Sequence, residues 1–160
     1  FSPERRRLAT LMGADLVIDP GAADDAAAGF GLAVEAWAGS GPGGQDPVPP
    51  VIFEAVGVPG MIDLAMTGAP GGSEVVVVGV CMADDHFRPI MGIYKHLTVR
   101  FVLGWTPEEF RASLENMTEG RIDAAHLVTD QIGIEDVPEA FARLADPEDQ
   151  VKILVRPNGS

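Results

Sequence analysis

Apolar residues fall into two kinds of run along this chain, and the contrast predicts its elements. Val75, Val76, Val77 and Val78 are consecutive and β-branched with no polar alternation. That is the pattern of a strand covered on both faces, as in a parallel sheet flanked by helices. Further apolar runs predict strands at residues 16–18, closed by Pro20 and Gly21, from Val51, through 97–104 and at 151–155. Arg100 interrupts the third of these and marks an edge strand. Elsewhere apolar positions recur at helical spacing. Leu8, Leu11 and Met12 follow Ser2 as N-cap and Pro3 at the first helical position, until Gly13 stops the run. Helices are also predicted over 30–37 and 61–66. Thr106, Pro107 and Glu109 open another with a capping box, and Phe110, Leu114 and Met117 make its apolar face. Asp136 caps the last, which buries Val137, Phe141 and Leu144. Strand alternating with helix is the α/β signature.

Two glycines stand where such a sheet would present backbone to a ligand. VIFEAVGVPG and GGSEVVVVGVC each carry an apolar strand into a glycine, Gly57 and Gly79, at the carboxyl end where open α/β sheets bind their ligands. Two tight turns that need glycine remain the alternative. The Gly/Pro-rich stretch 39–50 imitates a nucleotide loop, but its prolines deny backbone donors to a phosphate, so it reads as a surface loop.

At 160 residues and 46% hydrophobic, the chain is the size of one domain with a sizeable core. Eleven basic against 24 acidic side chains give a net charge of −13, which disfavours nucleic acid and anionic lipid as partners. The single cysteine, Cys81, excludes an internal disulfide and a cysteine zinc cluster, and the cytoplasm is the expected compartment. No apolar run reaches the roughly 20 residues of a membrane span. The chain opens on Phe1 and passes at once into a helix cap, which reads as the middle of a protein.

Several polar residues invite a mechanism. Asp84, Asp85 and His86 imitate a metal cluster, but adjacent residues rarely point at one centre, so a solvated loop is expected. Lys95 with His96, and His126, have no sequence partner for acid/base work. Glu54 at a strand end is a candidate general base, and Cys81 is read as a packing residue.

The ordered series SPERRRLATLMGADLVIDP, FEAVGVPG, GGSEVVVVGVC, KHLTVRFVLGWTPEEF and DVPEAFARLADPEDQVKILV resembles the carboxyl-terminal half of a medium-chain alcohol dehydrogenase, nearest the zinc-type alcohol and threonine branch. The resemblance covers residues 1–156, and 157–160 read as a tail. It implies a Rossmann-type doubly wound parallel sheet truncated at its start, without the first strands and the glycine-rich turn. It implies NAD or NADP as cofactor, and zinc held by ligands outside this chain. By position it assigns Ser2 and Arg5 to the adenosine ribose, and Ala55, Val56 and Gly57 to the loop passing the ribose. Val78, Gly79 and Val80 fall along the nicotinamide, Phe101 and Leu103 on the strand that bonds its carboxamide, and Lys152 near the pyrophosphate. In the family pattern Glu54 belongs to the fold. The activity implied is hydride transfer between an alcohol and nicotinamide, with an alcohol or carbonyl substrate and with these 160 residues inactive alone. Alternatives are the zinc-free quinone or enoyl reductase branch and a non-catalytic oligomerisation module. The strand at 97–104 is expected to pair with its copy in a homodimer. Strands 16–18, 51, 75 and 98 would be positions 3, 4, 5 and 6 of the sheet, so these 160 residues should be part of a longer polypeptide, or else the opening helix and strand should relocate or pair with another chain.

Overall fold

The computed structural model describes residues 2–19, 26–145 and 150–157; Phe1, Pro20, Gly21 and most of the expected tail lie outside them. It divides into two compact units, Pro20–Gly104 and the combination of Phe1–Asp19 with Trp105–Ser160.

In the first unit, α2 (Ala26–Trp37), β1 (Val51–Glu54), α3 (Met61–Gly68), β2 (Glu74–Val77), α4 (Pro89–Lys95) and β3 (Thr98–Phe101) follow in order. The strands form one parallel sheet in the order β1-β2-β3. Its register aligns Ile52 with Val75 and Val99, and Glu54 with Val77 and Phe101. That face meets α3, and Ile62, Ala65, Met66, Val75 and Val77 form the core, with Ile52, Met91, Leu97 and Val99 packed at its margin. Contact with α2 requires Gly68, because a Cβ there would lie 2.2 Å from the Phe30 ring. The opposite sheet face carries exposed Val51 and Phe53, half-buried Val76, and an Arg100–Glu74 ion pair at 3.0 Å. The four valines are therefore not covered on both faces. Val75 and Val77 are buried under α3, whereas Val78 is exposed and lies past the strand end. Beta-branching selected the strand conformation, but the helix packed on it set which face is buried.

The edge assignment from Arg100 holds, since β3 ends the sheet order. Residues 16–18 form no strand. An apolar triplet has no ladder of its own, and strand conformation persists only where backbone groups find a partner. Helix α4 was not anticipated: the sequence between Cys81 and the next strand reads as irregular, yet Pro89 occupies the first turn of a short helix that His96 ends in the left-handed region at φ 54°.

In the second unit, α1 (Pro3–Leu11) is capped by Ser2, whose Oγ accepts the Arg5 N–H at 3.3 Å, and buries Leu8. Helix α5 (Pro107–Thr118) has its full capping box, with Thr106 N–H donating to Glu109 at 2.6 Å and Glu109 N–H to Thr106 Oγ1 at 3.2 Å. Its predicted apolar face is only half covered: Phe110, Leu114 and Met117 are all exposed. Strand β4 (Val128–Gly133) pairs in parallel with β5 (Lys152–Arg156), and α6 (Val137–Ala145) lies between them in sequence. Thr129, Asp130 and Gln131 break the apolar pattern of β4, which is why it was not predicted. Asp136 does not cap α6. It closes a single 3-10 turn, Ile134–Asp136, so the chain enters the helix already turned. Val137 and Leu144 are half-buried as a result, Phe141 is 71% exposed, and small Ala140 is the residue buried.

Candidate functional site

The carboxyl ends of β1 and β2 meet in a tight backbone contact organised by one buried acid. Glu54, only 5% exposed, ends β1, and its Oε1 accepts the N–H groups of Val56 at 2.7 Å and Gly57 at 2.8 Å. Its main-chain oxygen accepts the N–H groups of Val78 at 2.8 Å and Gly79 at 2.9 Å. One residue therefore holds both loops, and a buried carboxylate receiving two N–H donors is a strong, charge-assisted acceptor. Glu54 thus serves the fold, as the family pattern implied, and its bonded oxygen is unavailable as a general base.

The two glycines are required by contact as well as by conformation. Gly57 has φ +73°, and a Cβ on it would come 2.6 Å from the Val80 nitrogen. A Cβ on Gly79 would lie 2.4 Å from the Gly57 nitrogen and 2.6 Å from Glu54 Oε2. A turn and a ligand-facing loop are the alternatives the sequence leaves open; the geometry supplies the turn and brings the two loops together at the carboxyl end of the strands. Ala55, Val56, Val78 and Val80 are exposed there, while Gly57 and Gly79 are half-buried. Phe101, level with Glu54 and Val77, is exposed, and Leu103 just beyond it is 90% exposed. Eight of the predicted site residues thus lie in one unit at one end of its strands.

Ser2, Arg5 and Lys152 belong to the other unit. Ser2 is buried in its capping role. Among the three successive arginines, Arg6 pairs with Asp19 at 2.9 Å and Arg7 with Glu4 at 2.6 Å, whereas Arg5 is exposed and forms no ion pair among the described residues. Hydrogen bonding to Arg7 holds the Glu4 carboxyl below its usual range. Lys152 is exposed at the start of β5.

Beside the loop contact lies a cleft of about 270 Å³, lined by Glu54, Ile62, Val77, Cys81, Asp85 and Phe101 among others. Cys81 is half-buried and its thiol donates to the Ala83 carbonyl at 3.5 Å. Asp85 departs from the expected solvated loop. Its Oδ1 accepts the Gly60 N–H at 2.7 Å and the His86 N–H at 2.8 Å, and its Oδ2 is buried without a hydrogen bond. Asp84 and His86 are exposed as expected. Arg88 bonds Asp63 through its main-chain N–H and guanidinium, at 2.9 Å and 2.8 Å, and reaches Thr67 Oγ1 at 2.8 Å. The Asp63 carboxyl is held below its ordinary value, first by the Arg88 side chain and then by its N–H. Lys95 donates from Nζ to the carbonyls of Thr67 and Ala69, closing the end of α3. His126, without an evident sequence partner, pairs with Asp123 at 3.2 Å on the surface. Sequence reasoning missed Asp85, Arg88 and Lys95 as structural partners because each bond spans 21 to 28 residues. Among the described residues no three His, Cys, Asp or Glu side chains are grouped to hold a metal ion, and no helix is long and apolar enough to cross a membrane.

No family model matches the chain. Over 159 residues it is 35% identical to (R,R)-butanediol dehydrogenase of Bacillus subtilis (strain 168), an alignment that takes in 99% of this chain and 42% of that protein. It superimposes on the crystal structure of 2R,3R-butanediol dehydrogenase from Bacillus subtilis with a TM-score of 0.76 at 34% identity, over 99% of this chain and 42% of the other. A putative zinc-binding dehydrogenase from Sinorhizobium meliloti 1021, bound to NADP, matches with a TM-score of 0.70 at 26% identity, over 98% of this chain and 43% of the other. The chain spans from a third to about two fifths of the length of the curated relatives it matches.

Proposed function

Because this chain belongs to the medium-chain dehydrogenase family and has the fold of its Rossmann-like coenzyme-binding domain, we propose that residues 1–156 serve as the coenzyme-binding part of an NAD(P)-dependent alcohol or polyol dehydrogenase. The observation that carries this reading is the Glu54 clamp. It sets Ala55, Val56 and Gly57 beside Val78, Gly79 and Val80 at the ligand end of parallel strands. No side chain in those two triplets is larger than valine, so a dinucleotide can lie against main chain and small apolar groups. These features fit a nicotinamide cofactor, which when bound supplies the hydride acceptor or donor.

The chain's own contribution is then to orient and to shield. Val56, Val78 and Val80 offer apolar contact to the cofactor's ribose and ring, and the backbone at Phe101 and Leu103 offers polar groups to the carboxamide. Arg5, which forms no ion pair among the described residues, is the group assigned to the adenosine ribose or its 2′-phosphate, together with Ser2, and Lys152 is assigned to the pyrophosphate. Zinc is not assigned to any described residue. Its role in the whole protein, like the alcohol substrate and the cytoplasmic location, is part of the proposal. The 160 residues alone are inactive in this reading, since no cluster of metal ligands stands among the described residues. For assembly, the outer edge of β3 pairs with a second copy; Val99→Pro removes a ladder donor and should convert a dimer to monomer in light scattering.

The test is cofactor titration of the native polypeptide that carries this chain, followed by reduced-cofactor formation with secondary alcohols and vicinal diols. NADH or NADPH binding that Gly57→Val abolishes, with turnover of an alcohol, is the expected result. Absence of binding to either dinucleotide overturns it.

A further inference from the structure

Three polar fastenings run along α3, and each comes from the segment that follows β2. Asp85 takes the Gly60 N–H at the entry to the helix, Arg88 takes Asp63 and Thr67 along its side, and Lys95 closes its last carbonyls. Gly60 is the N-cap of α3, at φ 88°, and has no side chain with which to cap it. Asp85 also lines the cleft that Glu54, Cys81 and Phe101 share. Of the three fastenings, the one from Asp85 belongs to a residue that lines this cleft. Gly60 lies three residues beyond Gly57, and Asp85 five beyond Val80. The Asp85 bond therefore joins the same two loops as the Gly57–Gly79 contact, one step farther from the strands.

From this geometry we infer that Asp85 is a positioning residue: it holds the segment 81–88 against the entry loop of α3, so that the wall of the cofactor cleft stands preformed. The inference rests on the coenzyme-binding reading above. Its energetic basis is preorganisation. A wall fixed before binding has no ordering cost left at the moment the ligand arrives. Asp85 Oδ1 does this work, while the buried Oδ2 accepts no hydrogen bond. Asparagine, which keeps one acceptor oxygen of the same reach, should therefore substitute where alanine cannot.

The experiment uses the native polypeptide with Asp85→Ala and Asp85→Asn, read in two ways. Without ligand, amide hydrogen exchange at Gly60 and across 81–88 should accelerate in Asp85→Ala, while the amides of β1 and β2 stay protected. Titration with NADH or NADPH should show about tenfold weaker binding for Asp85→Ala and near-native binding for Asp85→Asn. ADP-ribose, which lacks the nicotinamide, should bind both variants within about twofold of native, because that end of the ligand does not meet this wall. A variant that merely unfolds would weaken both ligands together. Unchanged exchange at Gly60 overturns the fastening, and equal loss of ADP-ribose and dinucleotide, or none of either, overturns the positioning role. A native polypeptide that binds neither dinucleotide overturns the functional reading itself, and the exchange measurement then still judges the fastening.

Discussion

The two units use similar ingredients and reach different degrees of closure. In Pro20–Gly104 a single helix, α3, packs on β1 and β2 of a three-stranded sheet, with Val99 of β3 at the margin, and Val75 is fully buried with Ile62, Ala65, Met66 and Val77 around it. In the other unit the helices are as well formed, α5 with a complete capping box, yet Phe110, Leu114, Met117 and Phe141 remain exposed, and among the described residues the buried apolar ones are Leu8 and Ala140. The lesson is that capping and periodicity make a helix, but a core needs a surface broad enough to receive it. Three paired strands under α3 offer that surface. Two strands joined by one crossover do not, because a two-stranded sheet has too little area on either face. The chemistry follows the same division: loops held by buried donors and acceptors keep a fixed geometry, and those loops are the ones at the ends of β1 and β2.

The largest effect that would sharpen this contrast is expected at the loop contact. Gly79→Val places a side chain 2.4 Å from the Gly57 backbone and should cost more than about 4 kcal/mol, enough to lose the first unit's cooperative transition. Calorimetry that finds a loss below about 1 kcal/mol would mean the loops separate at little cost. Next is Glu54→Ala, which strands the Val56 and Gly57 N–H groups. A destabilisation of about 2–4 kcal/mol is expected in urea, together with weaker dinucleotide binding. Glu54→Gln, which keeps one oxygen acceptor, should recover most of the stability.

A smaller effect is expected in the second unit. Phe141→Ala, at a side chain 71% exposed, should change stability by less than about 1 kcal/mol. A cost above about 2 kcal/mol in the native polypeptide would break the comparison, by showing that this apolar face has a covering partner there. The smallest effect compares matched ion pairs, Asp63–Arg88 in one unit and Asp130–Arg143 in the other, at 2.8 Å and 2.7 Å. Hydrogen bonds from the arginines lower both carboxyls below their ordinary value. A depressed folded-state value means the contribution is present above the unfolded value and is lost as pH falls through the folded one. Melting temperature should accordingly drop as pH is lowered below about 4. Asp63→Asn and Asp130→Asn should each flatten that drop slightly, the effect shrinking further in high salt because both pairs are partly exposed to solvent. A steeper acid transition in either variant would contradict the assignment.

Much of the framework was determined by local sequence. Ser2, Thr106 and Glu109 cap their helices as their residue types dictate, the β-branched run at Val75 makes a strand, and Arg100 marks the sheet's edge. Gly57 and Gly79 could be singled out at strand ends because an apolar run followed by glycine is a local signal. Resemblance, not spacing, placed Ser2, Arg5 and Lys152 in the same functional set.

Tertiary structure alone decided the rest, and the reason is distance along the chain. Residues 16–18 have the composition of a strand and are not one, since among the described residues no ladder partner holds them. Residues 128–133 look too polar for a strand and are one, since Thr129 Oγ1 and the main chain of β5 satisfy them. Local pattern places Val75 and Val78 in one strand, but the position of α3 and the end of the ladder decide that the first is buried and the second exposed. Asp85, Arg88 and Lys95 look like solvated charges in sequence and become fastenings only when β2 and α3 stand side by side. Hydrogen bonds over a few residues are written into local composition, whereas those that close the cleft exist only after the sheet has brought distant loops together.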